Sequence, residues 1–303
     1  MKTWCFVGVA LALLGSAAGA QDGWTPLFNG RNLDGWYACN GTAPYSVENG
    51  DVVGRTVVNS PNSFLCSKET YGDFILEYEV WVDTNFNSGM QIRSIADPAV
   101  KNGRVHGLQI EVDPSDRAWS GGIYDESRRG WLYTLEGQEA AKKAFRMNAW
   151  NRFRVEAVGT SIRTWVNGVP YANIVDDLTP RGVLALQVHS IGTDASRAGR
   201  IIRFRNVRIM TTHLDANRMP DKGATPQVNH IPNTLTARES RDGWKLLWDG
   251  KTTAGWRGAK LATFPEKGWE IQGGVLSVVE TGGGEAVSGG DIVTVDQYAN
   301  FEL

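Results

Sequence analysis

The sequence predicts an all-β chain: a two-sheet antiparallel jelly-roll sandwich over residues 22–213, followed by an incomplete second copy over residues 241–303. Two observations carry this prediction. Segment after segment alternates apolar and polar residues with a period of two, with little helix between them. A landmark string also recurs, because Asp22-Gly23-Trp24-Thr25-Pro26-Leu27-Phe28-Asn29-Gly30 leading to Gly35-Trp36 is answered, at equal spacing, by Asp242-Gly243-Trp244-Lys245-Leu246-Leu247-Trp248-Asp249-Gly250 leading to Gly255-Trp256. Tyr71-Gly72-Asp73-Phe74-Ile75-Leu76 is answered in turn by Tyr298-Ala299-Asn300-Phe301-Glu302-Leu303. A closed barrel is the alternative architecture.

From the N-terminus, Lys2, the apolar run Trp4 to Leu14 and the small residues Ala18-Gly19-Ala20 have the three parts of a signal peptide over residues 1–20. The run is too short to span a bilayer. Cleavage after Ala20 is expected to give a soluble periplasmic or secreted product. Without Lys2, 30 basic residues face 33 acidic ones, a net charge of −3 that gives no electrostatic case for binding nucleic acid. Export leaves Cys39 and Cys66 in an oxidising compartment, and a bridge between them is favoured over two reduced core cysteines.

In residues 73–82, Phe74, Leu76, Tyr78, Val80 and Val82 fall on one face, with Glu77, Glu79 and Trp81 on the other. Met90 and Ile92 alternate with Gln91 and Arg93; Leu108, Ile110 and Val112 with Gln109, Glu111 and Asp113; Leu184, Leu186 and Val188 with Gln187 and His189. Glu136 to Met147 is the one predicted helix, from the stripe Ala140, Ala141, Ala144 and Phe145. Asn167-Gly168 predicts a tight hairpin. Residues 214–240, with Pro220, Pro226 and Pro232, read as a linker. The copy after it holds only the first three or four strands, too few to close a sandwich, so the natural chain is expected to continue beyond Leu303.

Packing a sandwich buries one face of each strand. The outward set then collects Gln91, Arg93, Gln109, Glu111, Asp113, Gln187 and His189 from three strands, which share one concave surface if those strands are neighbours. Singly, each is an ordinary solvated strand residue. Together they offer a candidate base in Glu111, an imidazole in His189, a cation in Arg93 and amides suited to hydroxyl groups. Beside them runs a long aromatic loop, residues 113–131, in which Trp119, Tyr124 and Trp131 could lie against a sugar ring while Asp and Arg bond its hydroxyls. Tyr124 and Asp125, after Gly121-Gly122, are the better candidates for ligand contact; a lid packed by its own aromatics is the alternative. No nucleophile elbow, phosphate loop, dinucleotide fingerprint or His-Glu-x-x-His occurs.

Gly23-Trp24-Thr25-Pro26-Leu27-Phe28-Asn29-Gly30, Asn87-Ser88-Gly89-Met90-x-Ile92-Arg93, His106-Gly107-Leu108-Gln109-Ile110-Glu111, Gly122-Ile123-Tyr124, Gly182-x-x-Ala185-Leu186-Gln187-x-His189 and Phe204-Arg205-Asn206-Val207-Arg208-Ile209, in this order, resemble the 3-keto-disaccharide hydrolase family. The resemblance implies a concanavalin- or laminin-G-like jelly roll, bacterial export, and action on sugars oxidised to a ketone at C3. Such a ketone acidifies the C2 proton, so a base can remove it, the glycosidic oxygen leaves C1, and water adds to the enone. Ordinary glycosidases instead need two carboxylates flanking an oxocarbenium ion. The roles that the resemblance implies give proton removal to Glu111 or His189 and enolate stabilisation to Arg93 or a bound divalent metal ion. Asn87, Gln109, Gln187, Asp113, Trp119, Tyr124 and Asp125 are the expected substrate contacts. Glu111 and His189 are the candidate metal ligands; no organic cofactor is expected. The implied partners are a 3-keto sugar or glycoside and an upstream sugar oxidoreductase. A non-catalytic carbohydrate-binding module on the same sandwich is the alternative function. The second copy ends before any counterpart of Arg93, Glu111 or His189 and receives no site.

Overall fold

The computed structural model describes residues 23–83, 86–279 and 289–303; the expected signal peptide lies outside these residues. Sixteen described strands precede residue 230: β1 (Thr25–Pro26), β2 (Trp36–Asn40), β3 (Tyr45–Glu48), β4 (Asp51–Arg55), β5 (Ser63–Tyr71), β6 (Phe74–Val82), β7 (Ser88–Ile95) and β8 (His106–Val112) in the first half. β9 (Ile123–Glu126), β10 (Gly130–Tyr133), β11 (Asn151–Val158), β12 (Ser161–Val166), β13 (Val169–Val175), β14 (Gly182–Val188), β15 (Ile201–Met210) and β16 (Val228–Asn229) complete them. They form two sheets, in the order β16-β13-β12-β11-β6-β15-β4-β3, with β1 on β15, and β10-β9-β8-β7-β14-β5-β2. The chain is thus all-β and a two-layer sandwich, as its alternation predicts.

The core lies between the sheets. Leu76, Tyr78, Val80, Phe153, Val155 and Phe204 from the first sheet meet Leu65, Met90, Ile92, Leu108, Ile110, Leu184 and Leu186 from the second. Each of these strands has period-two apolar residues, so a single buried face per strand satisfies the hydrophobic effect while the ladder satisfies the backbone. Asn167 and Gly168 both take positive φ, 51° and 83°, the geometry a two-residue hairpin between β12 and β13 demands. Cys39 on β2 and Cys66 on the neighbouring β5 are joined by a disulfide.

Three expectations need correction. The helix predicted over Glu136–Met147 shrinks to Glu139–Lys142 (α1). Gly137 takes φ 74° before it, and after it the buried Tyr171 hydroxyl both donates to the Ala141 carbonyl and accepts from the Phe145 amide, groups a longer helix would have paired internally. The proline-bearing segment 214–240 is no free spacer. Its Val228–Asn229 adds a parallel edge strand to β13, Tyr133 donates to the Pro226 carbonyl at 3.0 Å, and Arg163 donates to the Met219 carbonyl at 2.8 Å.

The third correction concerns Arg93. Alternation holds along β7 as far as Ile92, where the β7–β8 register shifts and Arg93 takes φ 45°. That bulge turns the side chain away from the concave face and under the sandwich. The buried guanidinium donates to the carbonyls of Gly72 (2.8 Å), Gly159 (2.8 Å) and Ala157 (3.1 Å) and to Asp73 (2.9 Å), tying β7 to the β5–β6 turn that crosses between the sheets and to the β11–β12 hairpin of the other sheet. Glycines flank the bulge because nothing larger fits: a Cβ on Gly182 would stand 2.3 Å from the Ser94 carbonyl oxygen, and one on Gly107 would stand 2.5 Å from the Ser94 hydroxyl. Beyond the bulge the hairpin tip, residues 95–106, folds over the concave face. Val105 and Ala96 there pack on Phe64, Cys66, Val183 and Ala185, and the Val105 amide donates to Asn40 at 3.0 Å.

In residues 241–303 the opening turn repeats atom for atom. Trp36 Nε1 donates to the Leu27 carbonyl and Trp256 Nε1 to the Leu247 carbonyl, both at 2.7 Å, while Asn29 Oδ1 and Asp249 Oδ1 each accept two following backbone amides. The described strands there form only two separate pairs, and Trp244, Val275, Val295 and Phe301 stay exposed.

Replacing Arg93 with Met leaves three backbone carbonyls without their charged donor. The expected loss is roughly 3 kcal/mol or more in urea unfolding, with Arg93→Lys recovering only part because one ammonium cannot reproduce the planar fork. Unchanged stability in Arg93→Met would contradict the clamp.

Candidate active site

Strands β9, β8, β7, β14 and β5 are consecutive neighbours, so the outward residues of all five share one floor. Gly89 pairs with Glu111, Gln91 with both Gln109 and Ala185, and Gln109 with Tyr124. Gln187, opposite Phe64, lies on the same face one row from Ala185. The convergence expected of Gln91, Gln109, Glu111 and Gln187 therefore occurs. These residues are not solvated: all four are under 4% exposed.

Glu111 is the centre of the arrangement. Its Oε2 accepts from Gln109 Nε2 at 2.9 Å, and its Oε1 accepts from Asn87 Nδ2. Burial pushes its pKa from 4.5 up to about 7; the Gln109 and Asn87 amides pull it down, Asp113 adds an upward push and Arg117 a downward one. Gln109 reaches Glu111 by lying across Gly89, where a Cβ would come within 2.5 Å of its Cδ. Gln109 is thus committed to Gln91 and Glu111, and its expected role in orienting substrate hydroxyls is corrected to that of a support.

Gln187 is the opposite case. It is fully buried, and neither its Nε2 nor its Oε1 has a hydrogen-bond partner. An amide sealed in this way costs roughly 1–3 kcal/mol per orphaned group.

Asp113 follows on the same outward parity but is engaged, its Oδ1 accepting the Ser115 amide at 3.1 Å and its Oδ2 pairing with Arg117 at 3.0 Å. His189 stands one residue past β14, half-buried, with Nδ1 directed at the Ser190 carbonyl at 2.7 Å. That bond leaves Nε2 as the basic nitrogen of the neutral ring. It makes no hydrogen bond to Glu111, whose two oxygens are taken by amides.

On β9 the expectation is off by one residue. Ile123 enters the core and Tyr124 faces the floor, so Asp125 turns inward, where it is fully buried and bonded to Arg128 and Arg129 at 2.6 Å each. Asp125 is a structural anion, not a ligand contact. Glu126 is the outward carboxylate, and its Oε1 meets Ser127 (3.1 Å), Arg104 (3.4 Å) and Asn62 (3.5 Å) from the far side of the floor. Period-two counting onward from Tyr124 would have found it. Burial raises the Tyr124 phenol, and the charges of Glu126 and Glu111 raise it further.

Trp119 packs edge-on against Trp131 at 4.8 Å, Trp131 against Tyr124 at 5.2 Å, and the Arg117 guanidinium covers both indoles. The aromatic loop is thus packed largely on itself, and Tyr124 is its member that reaches the floor. Among the described residues no three His, Cys, Asp or Glu side chains gather into a set that could hold a metal ion. Each Glu111 oxygen accepts one amide proton and keeps a second lone pair, so the carboxylate itself remains open to a proton or a cation.

A family described as the 3-keto-alpha-glucoside-1,2-lyase-like domain matches residues 23–210 and again 243–303. The chain belongs to this family. A curated relative from Bacteroides thetaiotaomicron, a 3-keto-disaccharide hydrolase, is 42% identical over 64 residues, which cover 20% of this chain and 22% of the relative. Among solved structures, a Bacillus subtilis protein of unknown function with a galectin-like fold superposes with a TM-score of 0.46 at 12% identity, covering 64% of this chain and 96% of its own. The carbohydrate-binding module CBM66 of Bacillus subtilis does so with a TM-score of 0.39 at 17% identity, covering 58% and 95%. The segment aligned with the curated relative spans only about a fifth of that protein's length. No described helix is long and apolar enough to cross a membrane.

Because Glu111 titrates at 4.5 when unfolded and about 7 when folded, the folded chain holds the extra proton between those values. Stability should therefore fall as pH rises through that window, and Glu111→Gln should flatten the fall in denaturant titrations at stepped pH.

Proposed function

We propose that the first domain cleaves 3-keto-glycosides by elimination and hydration, with Glu111 as the base. The carrying observation is a buried carboxyl with a pKa near 7, set on a hollow face beside an unpartnered amide. A general base works best when its pKa lies near the working pH, and burial supplies that here.

In the proposed first step the Glu111 carboxylate takes the C2 proton; the C–H pair becomes the C2=C3 bond and the ketone becomes an enolate. Gln187 Nε2, with no protein acceptor, donates to that C3 oxygen, the role the family resemblance had implied for Arg93 or a divalent metal ion. Collapse of the enolate restores the ketone, forms C1=C2 and expels the glycosidic oxygen, which takes the proton from Glu111. Water then adds across C1 and C2, giving the 3-keto sugar and the free alcohol. Asn87 and Gln109 hold the carboxylate, Tyr124 borders the sugar, and His189 is the second titratable group on this face. The substrate requires an upstream oxidoreductase that oxidises the C3 hydroxyl.

Glu111→Gln should cut turnover of a 3-keto-glucoside by about 10²–10⁴-fold without loss of folding, and wild-type turnover should rise with pH through about 7 and then level off. Full activity in Glu111→Gln removes Glu111 from the mechanism. Tight binding without release of the aglycone, from keto and parent sugar alike, would make the domain a carbohydrate-binding module. Gln187→Leu should show the converse of a structural residue, with stability raised by roughly 1–3 kcal/mol and turnover lost. Calorimetry and the same aglycone assay measure both.

A further inference from the structure

Two polar side chains in the floor, Ser94 and Gln91, are not used by the reaction, and they form a row with Gln109. Ser94 Oγ donates to Gln91 Oε1 at 2.6 Å, Gln91 Nε2 to Gln109 Oε1 at 2.8 Å, and Gln109 Nε2 to Glu111 Oε2 at 2.9 Å. Ser94, Gln91 and Gln109 are each no more than 2% exposed, and Gln91 sits opposite Gln109, two residues along β7 from the Gly89 that faces Glu111.

The polarity of this row has one origin. An ionised carboxylate only accepts, so Gln109 must turn its NH₂ towards Glu111. Its carbonyl then needs a donor, which Gln91 supplies; the Gln91 carbonyl needs one in turn, which the Ser94 hydroxyl supplies. The row ends there because a hydroxyl can donate without demanding a further donor of its own. Reversing any one member would set donor against donor or acceptor against acceptor in a sealed layer, where a failed hydrogen bond costs most. The bulge at Arg93 supplies the last link, because the same backbone turn that sends Arg93 inward brings Ser94 onto the floor against Gly107.

We propose that Ser94 and Gln91, neither of which touches substrate, are positioning residues that act through Gln109 to keep Glu111 a bare carboxylate aimed at the sugar. This rests on the reading of Glu111 as the base. Other charged and titratable groups also face Glu111: Asp113 and Arg117 from β8 and the loop after it, Tyr124 and Glu126 from β9, and His189 beyond β14. β7 contributes none, only Gly89 and the Gln91 amide. Asp113 and Arg117 pair with each other at 3.0 Å, so their effects on Glu111 largely offset, and the amide row is the directed influence that remains. Without Gln91 the Gln109 amide is free to invert and present its carbonyl, and a carboxyl facing a carbonyl must carry a proton.

The test is a ¹³C-carboxyl NMR titration of the full chain labelled at glutamate, with the Glu111 resonance assigned by its loss in Glu111→Gln. Gln91→Met, which keeps shape and removes the amide, should move the Glu111 midpoint upward by roughly 0.5–1 pH unit, and Ser94→Ala should move it the same way by less. The acidic limb of the pH–turnover profile on a 3-keto-glucoside should shift in parallel. A role in packing alone would lower stability and leave the midpoint where it was. An unmoved or lowered midpoint in natively folded Gln91→Met overturns the proposal; if that variant does not fold, the same result in Ser94→Ala overturns it. The titration needs no substrate, so a wild-type chain inactive on keto-glycosides counts against the enzymatic reading, while the midpoint still decides the relay.

Discussion

The arrangement of the site depends on how one buried arginine is satisfied. A guanidinium cannot be left in a sandwich core without acceptors, and Arg93 finds four, three of them backbone carbonyls in the β5–β6 turn and the β11–β12 hairpin. Reaching them requires a positive φ at Arg93 and a register shift in the β7–β8 ladder. Everything beyond the shift changes course: the hairpin tip leaves the plane of its sheet and lies back over the hollow face. An open floor becomes a covered one.

Covering the floor changes the chemistry of the residues on it. Solvated, a glutamate on a strand is an ordinary carboxylate. Buried, Glu111 loses water and gains only two amide donors, and the balance leaves it titrating at about 7. The same covering makes each remaining polar group choose a partner, which is why Gln91 and Gln109 fall into a directed row and why the orphaned Gln187 stands out. Glycines decide which side chains can lie where. Gly89 leaves room for Gln109, while Gly107 and Gly182 leave room for the bulge, so bare positions in the strands are as specific as the polar ones.

The opposite face of the molecule stores charge differently. Glu77 on β6 is nearly buried and is held by Arg152, Arg154 and Arg208 at 2.6 to 3.0 Å, and Arg205 and Arg208 cover Trp150 and Trp24. Every one of these cations is engaged, and the segment from 214 to 240 straps the neighbouring strands. Those features hold the outer sheet together.

The sequence by itself determined the strands, their buried faces and the gathering of Gln91, Gln109, Glu111 and Gln187, because a period-two pattern fixes which side each residue takes wherever the strand runs unbroken. It also displayed the repeated opening turn, whose hydrogen bonds are local enough to form without the rest of a domain. It could not place Arg93, Asp125 or Glu126. One bulge reverses parity, and the long loop hides where β9 begins, so the first and second residues after Tyr124 exchange roles. Only the tertiary structure decided that the polar face is covered and that its amides form a directed row, since both depend on contacts between residues far apart in the chain and on the acceptors available to a single guanidinium.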